Sequence, residues 1–226
     1  MKLELVGKTI GTGSYSNLSN EEIIAAVARH GVIKDDNGKL VRYLMDHKHV
    51  SPLQHIFFSF KVETSRAMSA QIFRHRSLNF QETSQRYDKI SEFEDFELRQ
   101  QHESNRQSST EVFDPLVPDT YGLFEGQPVL ASQMNAKLLE VVSSVYSNQV
   151  DAGVAKECAR FILPMCSKTV IHISGTFRDL LAFLNLRMDA HAQKEVQLIA
   201  EGIGEAMEVE LPNVMKNIDW RNGMFL

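Results

Sequence analysis

The order of strand-like and helix-like segments in this 226-residue chain predicts an α+β fold: a single domain over 1–226, with a largely antiparallel sheet flanked by helices. Apolar residues alternate at period two over 1–10 and 56–63, with Phe58, Phe60 and Val62 on one side. They recur at helical spacing in 190–209, where Val196, Ile199, Ala200 and Ile203 share a face. The segments run as strands, helices, strand and helices, not as a repeating strand–helix–strand alternation.

Each element has a local cause. Residues 1–10 read as a strand, and Gly11-Thr12-Gly13-Ser14 as a turn; no third glycine follows at the spacing a phosphate loop needs. Ser19 and Glu22 form a capping box for a helix that ends at Gly31. A second helix covers 39–47, with Leu40 and Leu44 on one face. After the 56–63 strand, 65–74 is helical, 77–90 resists assignment, and 100–110 is polar enough for a surface loop. Pro128 starts a long helix to about residue 148, with Leu130, Met134, Leu138 and Val141 on its apolar face. Helix 155–162 stops before Pro164, 168–174 is a strand, and 177–186 and 190–209 are helices. The tail from Pro212 carries the only tryptophan, Trp220, and docks on the body.

Composition narrows the function. A net charge of −5 argues against sequence-independent binding of nucleic acid, which needs a basic face to displace counterions. Two cysteines, Cys158 and Cys166, are too few for a four-cysteine zinc site; apolar neighbours suggest buried free thiols. The eight histidines include no HExxH pair, so a metal hydrolase is disfavoured and no metal is expected. Without an apolar leader or a run of about 18 apolar residues, the expectation is a cytoplasmic protein with no membrane span.

Two polar clusters stand out. Arg74-His75-Arg76-Ser77-Leu78-Asn79-Phe80-Gln81-Glu82-Thr83-Ser84-Gln85-Arg86-Tyr87 contains three arginines with almost nothing apolar between them. It is a solvated loop or an anion site, where arginine forks grip phosphate and amide or carboxylate groups read a base edge. Arg178, Asn185, Arg187, Asp189, His191 and Gln193 form the second; Arg187 and His191, like Asp189 and Gln193, share a face if the segment is helical. Arg160 stands beside the apolar run Phe161-Ile162-Leu163-Pro164. Two arginine-rich clusters in an acidic chain favour a shared anionic ligand.

Arg74-His75-Arg76, then Glu82, Ser84 and Arg86-Tyr87, resembles the signature of flavin-dependent thymidylate synthases, with Asn79 and Gln81 where that family usually has Ser and Asn. His49, Ser51-Pro52 and His55 resemble its upstream block, Gln71 keeps its spacing from Arg74, and Arg160 resembles its Arg-x-x-Leu-Pro element. Residues 176–187 with His191-Ala192-Gln193 resemble its C-terminal block, with Thr176 and Ala182 where a polar flavin contact is usual. The resemblance covers roughly 45–205. It implies reductive methylation of dUMP to dTMP, with 5,10-methylenetetrahydrofolate as carbon donor and FAD, reduced by NADPH, as hydride source. It further implies a homotetramer with active sites where subunits meet.

By the same resemblance, dUMP is held by Gln71, Arg74, Glu82, Thr83, Ser84, Gln85, Arg86, Arg160 and Arg187, with Ser84 and Arg86 near the phosphate and Arg160 reaching in from another subunit. Arg187 lies against the uracil, favouring ionisation at N3 and so a more nucleophilic C5. FAD is held by Ser51, Arg74, His75, Arg76, Ser77, Glu82, Thr176, Phe177 and Arg178, and His49 lines the flavin and folate pocket. The competing reading is a non-catalytic nucleotide- or RNA-binding module using the same arginines.

Overall fold

The computed structural model describes residues 1–34 and 38–223. β1 (Lys2–Lys8) opens the chain. Ser19 caps α1 (Asn20–Ala28) as expected: its Oγ accepts from the Glu22 N–H at 3.3 Å, and the Glu22 carboxylate accepts from the Ser19 N–H at 2.7 Å. The helix ends before Gly31 because His30 and Gly31 turn left-handed (φ 55° and 90°), and the Gly31 N–H closes on the Ala26 carbonyl at 2.8 Å. α2 (Lys39–Asp46) buries Val41 and Leu44, leaving Leu40 half-buried. β2 (Phe57–Ser65) buries Phe58, Phe60 and Val62 as their spacing requires, and α3 (Arg66–Ile72) follows.

The middle of the chain departs more from expectation. The unassigned stretch contains β3 (Asn79–Glu82). The polar region around 100–110 is a hairpin, β4 (Arg99–Gln101) against β5 (Ser109–Val112), with the loop confined to its tip. β6 (Leu116–Val117) pairs with β7 (Val129–Leu130), so Pro128 precedes a strand and the long helix, α4 (Ala131–Asp151), starts later. Asp114 supplies its cap from outside the helix, accepting from the Ser132 N–H at 2.9 Å and Oγ at 2.5 Å. α5 (Lys156–Ala159) passes into a 3₁₀ turn, Arg160–Ile162. β8 (Lys168–Thr176), α6 (Phe177–Arg187), α7 (Lys194–Glu210) and α8 (Pro212–Met215) complete the order. Against expectation, Cys158 is exposed and Cys166 only half-buried.

The chain falls into two compact units. One comprises Met1–Glu63, Ala70–Glu82 and Val170–Leu226. The sheet has the order β1-β2-β8-β3, with β1 antiparallel to β2 and β3 antiparallel to β8. Within this unit Phe58, Phe60, Ile171 and Ile173 from the sheet are buried, as are Phe177, Leu180 and Leu184 of α6 and Ile199, Ile203 and Met207 of α7. Burying a side chain of this size contributes about 1.5–3 kcal/mol. Trp220 docks as expected: it is 1% exposed, and its ring lies where a Cβ on Gly204 of α7 would stand, 2.2 Å from the nearest ring atom. Buried Glu21 of α1 fixes α8 by accepting from the Asn213 and Val214 backbone N–H groups at 2.6 and 3.0 Å. Residues 224–226 of the expected tail lie outside the described residues.

The second unit comprises Thr64–Ser69 and Thr83–Thr169. Its small core is Ile90, Tyr146 and Ala159, with Val150 and Leu163 packed against it; the Tyr146 hydroxyl accepts from the Ile90 N–H at 3.3 Å. Of the apolar face read for α4, Met134 is buried, while Leu138 and Val141 are exposed, as is Val145 on the same stripe. No helix among the described residues is long and apolar enough to cross a membrane.

Candidate functional site

In the first unit, the end of α3 and the end of α6 bring Gln71, Arg74, His75 and Arg187 together. The chain leaves α3 in tight turns: the His75 N–H bonds the Ile72 carbonyl at 3.1 Å, and the Leu78 N–H bonds the His75 carbonyl at 3.1 Å. This holds the His75 ring edge-on to the buried Phe183 of α6, with centroids 4.8 Å apart. Phe183 fills the core, so the residue one turn further along the helix, Arg187, is set at its margin.

Arg187 meets two neutral acceptors. Its Nε–H donates to His75 Nε2 at 2.8 Å, and its NH2 group donates to the Gln71 carbonyl at 3.2 Å. Burial, then the neighbouring Arg74 charge, lowers the Arg187 pKa from its ordinary value; an arginine stays protonated all the same. Burial, then the Arg187 charge, pushes the His75 pKa down to about 4. His75 is therefore neutral near neutrality, and with Nε2 accepting, its proton sits on Nδ1.

Gln71 is fixed from its other end. Its side-chain amide donates to Gln193, whose own amide donates to Glu195 at 2.9 Å. The turn that delivers Gln193 is built by Asp189, whose carboxylate accepts from the His191 N–H at 2.7 Å and whose backbone carbonyl accepts from Gln197 Nε2 at 2.7 Å. This turn corrects the helical pairing: α6 ends at Arg187 and α7 starts at Lys194, so neither Arg187 with His191 nor Asp189 with Gln193 shares a helix face. Gln193 was singled out in the second polar cluster but given no role, and Glu195 was missed although it lies two residues further along the same stretch.

The remaining expected residues of this unit divide by side-chain role. Thr176 is the N-cap of α6, its Oγ accepting from the Asp179 N–H at 3.2 Å and donating to the Asp179 carboxylate at 2.5 Å. That hydroxyl is committed to the helix start. Phe177 is fully buried and meets Phe58 edge-on, so its side chain belongs to the core. Arg178, Arg74, Arg76 and Ser77 are exposed, and Glu82 is half-buried on β3 opposite Ile171. Ser51 begins a 3₁₀ turn, Ser51–His55; His49 just before it is exposed, its N–H bound to the Leu44 carbonyl at 2.8 Å. Between α2, this turn and α6 lies a cleft of about 270 Å³ lined by Met45, Lys48, Val50, Leu53, Arg178, Leu181 and Ala182. Its lining is mostly apolar, with Lys48 and Arg178 the two cationic residues.

In the second unit, residues 84–88 form a turn. Ser84 Oγ accepts from the Arg86 N–H at 3.3 Å, and the Ser84 carbonyl accepts from the Tyr87 and Asp88 N–H groups. Gln85 is buried. Arg86 is exposed and pairs with Glu157 of α5, both Nε and NH2 lying 3.2 Å from the same carboxylate oxygen. Lys156 donates to the Tyr87 carbonyl. Arg160 is half-buried at the start of the 3₁₀ turn that follows α5.

Comparison with known proteins decides the family. Residues 9–213 match the family model described as "Thymidylate synthase complementing protein". The chain belongs to the flavin-dependent thymidylate synthases. It is 35% identical over 206 residues, covering 88% of this chain and 91% of the relative, to a probable flavin-dependent thymidylate synthase of Paramecium bursaria Chlorella virus 1. A flavin-dependent thymidylate synthase of Synechocystis sp. is 32% identical over 206 residues, covering 90% and 91% of the two chains. One from Thermosipho melanesiensis is 34% identical over 181 residues, covering 79% and 74%. The family and the assignment as an enzyme thus stand as the motif resemblance implied, and the α+β class as the order of the segments predicted.

Proposed function

We propose that the chain converts dUMP to dTMP by reductive methylation, taking the carbon from 5,10-methylenetetrahydrofolate and the reducing equivalents from NADPH through FAD. The observation that carries this is the half-buried Arg187 cation, gripped by neutral groups in the midst of Gln71, Arg74 and His75. Two acceptors take only part of its N–H donors, and neither cancels its charge. Placed against a uracil, it favours negative charge at N3 and O2 and so raises electron density at C5, the atom to be methylated. Gln71 takes part in reading the base, and Arg74 adds a second positive charge.

The residues suit a flavin dinucleotide. Arg74, Arg76 and Arg178 are exposed cations fit for a pyrophosphate, and the cleft lined by Leu53, Leu181 and Ala182 is apolar enough for a flat ring or a folate. FAD, when bound, supplies the hydride chemistry, and the chain's part is to hold and orient. Ser51, His75, Ser77 and Glu82 join in holding FAD, with His49 beside the flavin and folate. Thr176 and Phe177 contribute through the placement of α6, since one side chain caps it and the other is buried.

Thr83, Ser84, Gln85 and Arg86 take the nucleotide, Ser84 and Arg86 on its phosphate, and Arg160 completes the site of a second subunit. A homotetramer is supported by the exposed apolar stripe Leu138, Val141 and Val145 on α4, which a second copy would bury. The test is the visible spectrum of the purified protein followed by turnover. Flavin bands that bleach on anaerobic addition of NADPH, with dTMP formed once dUMP and methylenetetrahydrofolate are present, are the expected result. A protein that takes up no FAD and binds no dUMP overturns the proposal in favour of a binding module.

A further inference from the structure

We infer that His75 is the positioning residue of Arg187: its Nε2 lone pair accepts the Arg187 Nε–H and fixes the guanidinium plane while leaving its charge whole. The inference rests on the reading of Arg187 given above and adds how that arginine is aimed. The geometry has three parts. The hydrogen bond is 2.8 Å long, within the normal range for a charge-assisted bond. The imidazole cannot swing away freely, because its ring packs edge-on to fully buried Phe183, on the helix that also carries Arg187. A second acceptor, the Gln71 carbonyl at 3.2 Å, holds the same guanidinium by its NH2, so two bonds on one plane define its orientation.

The chemistry of the acceptor matters. A carboxylate in the place of His75 would grip more strongly and neutralise the charge that a uracil is meant to feel. A neutral imidazole nitrogen holds direction and leaves the cation uncompensated. The two ring nitrogens are then divided: Nε2 faces Arg187, and the Nδ1–H is left as a donor for the flavin-binding role that the motif implies.

Two variants separate direction from packing. His75→Phe keeps a ring against Phe183 and removes the acceptor, whereas His75→Gln returns a neutral acceptor. Flavin content is read from absorbance, dUMP affinity by calorimetry on the flavin-loaded protein, and kcat and KM from dTMP formation. Flavin affinity falls in His75→Phe with the loss of the Nδ1–H donor, so kcat is read at saturating FAD; the expected result there is that dUMP binding stays within a few-fold while kcat falls roughly 10- to 100-fold, and that His75→Gln recovers most of that loss. Equal kcat losses in both variants, or wild-type kcat in His75→Phe, overturn the inference. One readout is independent of turnover: nitrogen-15 shifts of the ligand-free wild-type protein at neutral pH report the His75 tautomer. Nδ1–H imidazole supports the clamp, and Nε2–H imidazole or imidazolium overturns it, even if the protein makes no dTMP and the proposed function itself fails.

Discussion

Arg187 and Arg86 enter through the same family resemblance but stand in opposite physical situations. Arg187 is half-buried and bonded to a neutral imidazole and a backbone carbonyl. Arg86 is exposed and paired with the carboxylate of Glu157. A half-buried cation with no counterion among the described residues is costly, and such perturbed groups cluster at functional sites. An exposed arginine on a carboxylate costs nearly nothing and gains little, since surface pairs are worth about 0–1 kcal/mol. Under the proposed function, the contrast separates an arginine whose charge is left to act on a uracil from one that would exchange a carboxylate for a phosphate.

The largest expected effect follows from the first. Arg187→Ala removes the uncompensated charge and lowers kcat for dTMP formation by roughly 100- to 1000-fold, the range seen when one preorganised electrostatic donor is deleted. The protein remains folded and flavin-bound by circular dichroism and absorbance. Near-normal turnover in this variant would break the comparison at its root, because Arg187 would then be a structural cation like any other.

The next effect is smaller and concerns the partner. His75 has its folded pKa pushed down from the ordinary histidine value to about 4, so the unfolded chain binds a proton that the folded chain does not. Stability is then full above about pH 6.5, falls as pH drops through the window between 6.5 and 4, and levels off below. A shift of this size corresponds to about 3 kcal/mol without solvent, and for a half-buried ring screening reduces it to about 1 kcal/mol. His75→Gln, which does not titrate, flattens that contribution. Urea midpoints of the two proteins between pH 4 and 7 check this, and parallel pH dependences would place the cost of the Arg187 contact elsewhere.

How much of this was legible in the sequence depended on distance along the chain. The capping box at Ser19, the buried triad of β2 and the face of α7 are local patterns, and each formed as written. The start of α4 was misplaced because its cap comes from Asp114, well before Pro128, and because β6 and β7 pair across that gap. The residue types of the site were readable from the two arginine-rich clusters, but their roles were not. The helix start at Phe177 was read from the sequence, but that Thr176 spends its hydroxyl on capping it and that Phe177 is core emerges only from the contacts each side chain makes. The contacts of Arg187 with His75 and of Gln71 with Gln193 join residues more than 100 positions apart, beyond the reach of any periodicity. Glu157 went unnoticed for the same reason: nothing in a four-residue helix says that its carboxylate will meet Arg86.

The smallest effect tests the second half of the contrast. If Glu157 merely parks Arg86, then Glu157→Gln removes a competitor for the phosphate of dUMP. Coulomb attraction at a solvated surface is weak, so the gain is modest: dUMP affinity rises about two- to five-fold at low salt, and the difference between variant and wild type shrinks as ionic strength grows. Thermal stability moves by less than about 0.5 kcal/mol, because exposed pairs contribute little. Calorimetric titration of dUMP at two salt concentrations reads both numbers. An unchanged affinity would mean that Arg86 does not reach the phosphate. A lower one would mean that the carboxylate orients Arg86 for its ligand, which would place both arginines under the same rule, each aimed by a fixed acceptor and differing only in whether that acceptor carries a charge.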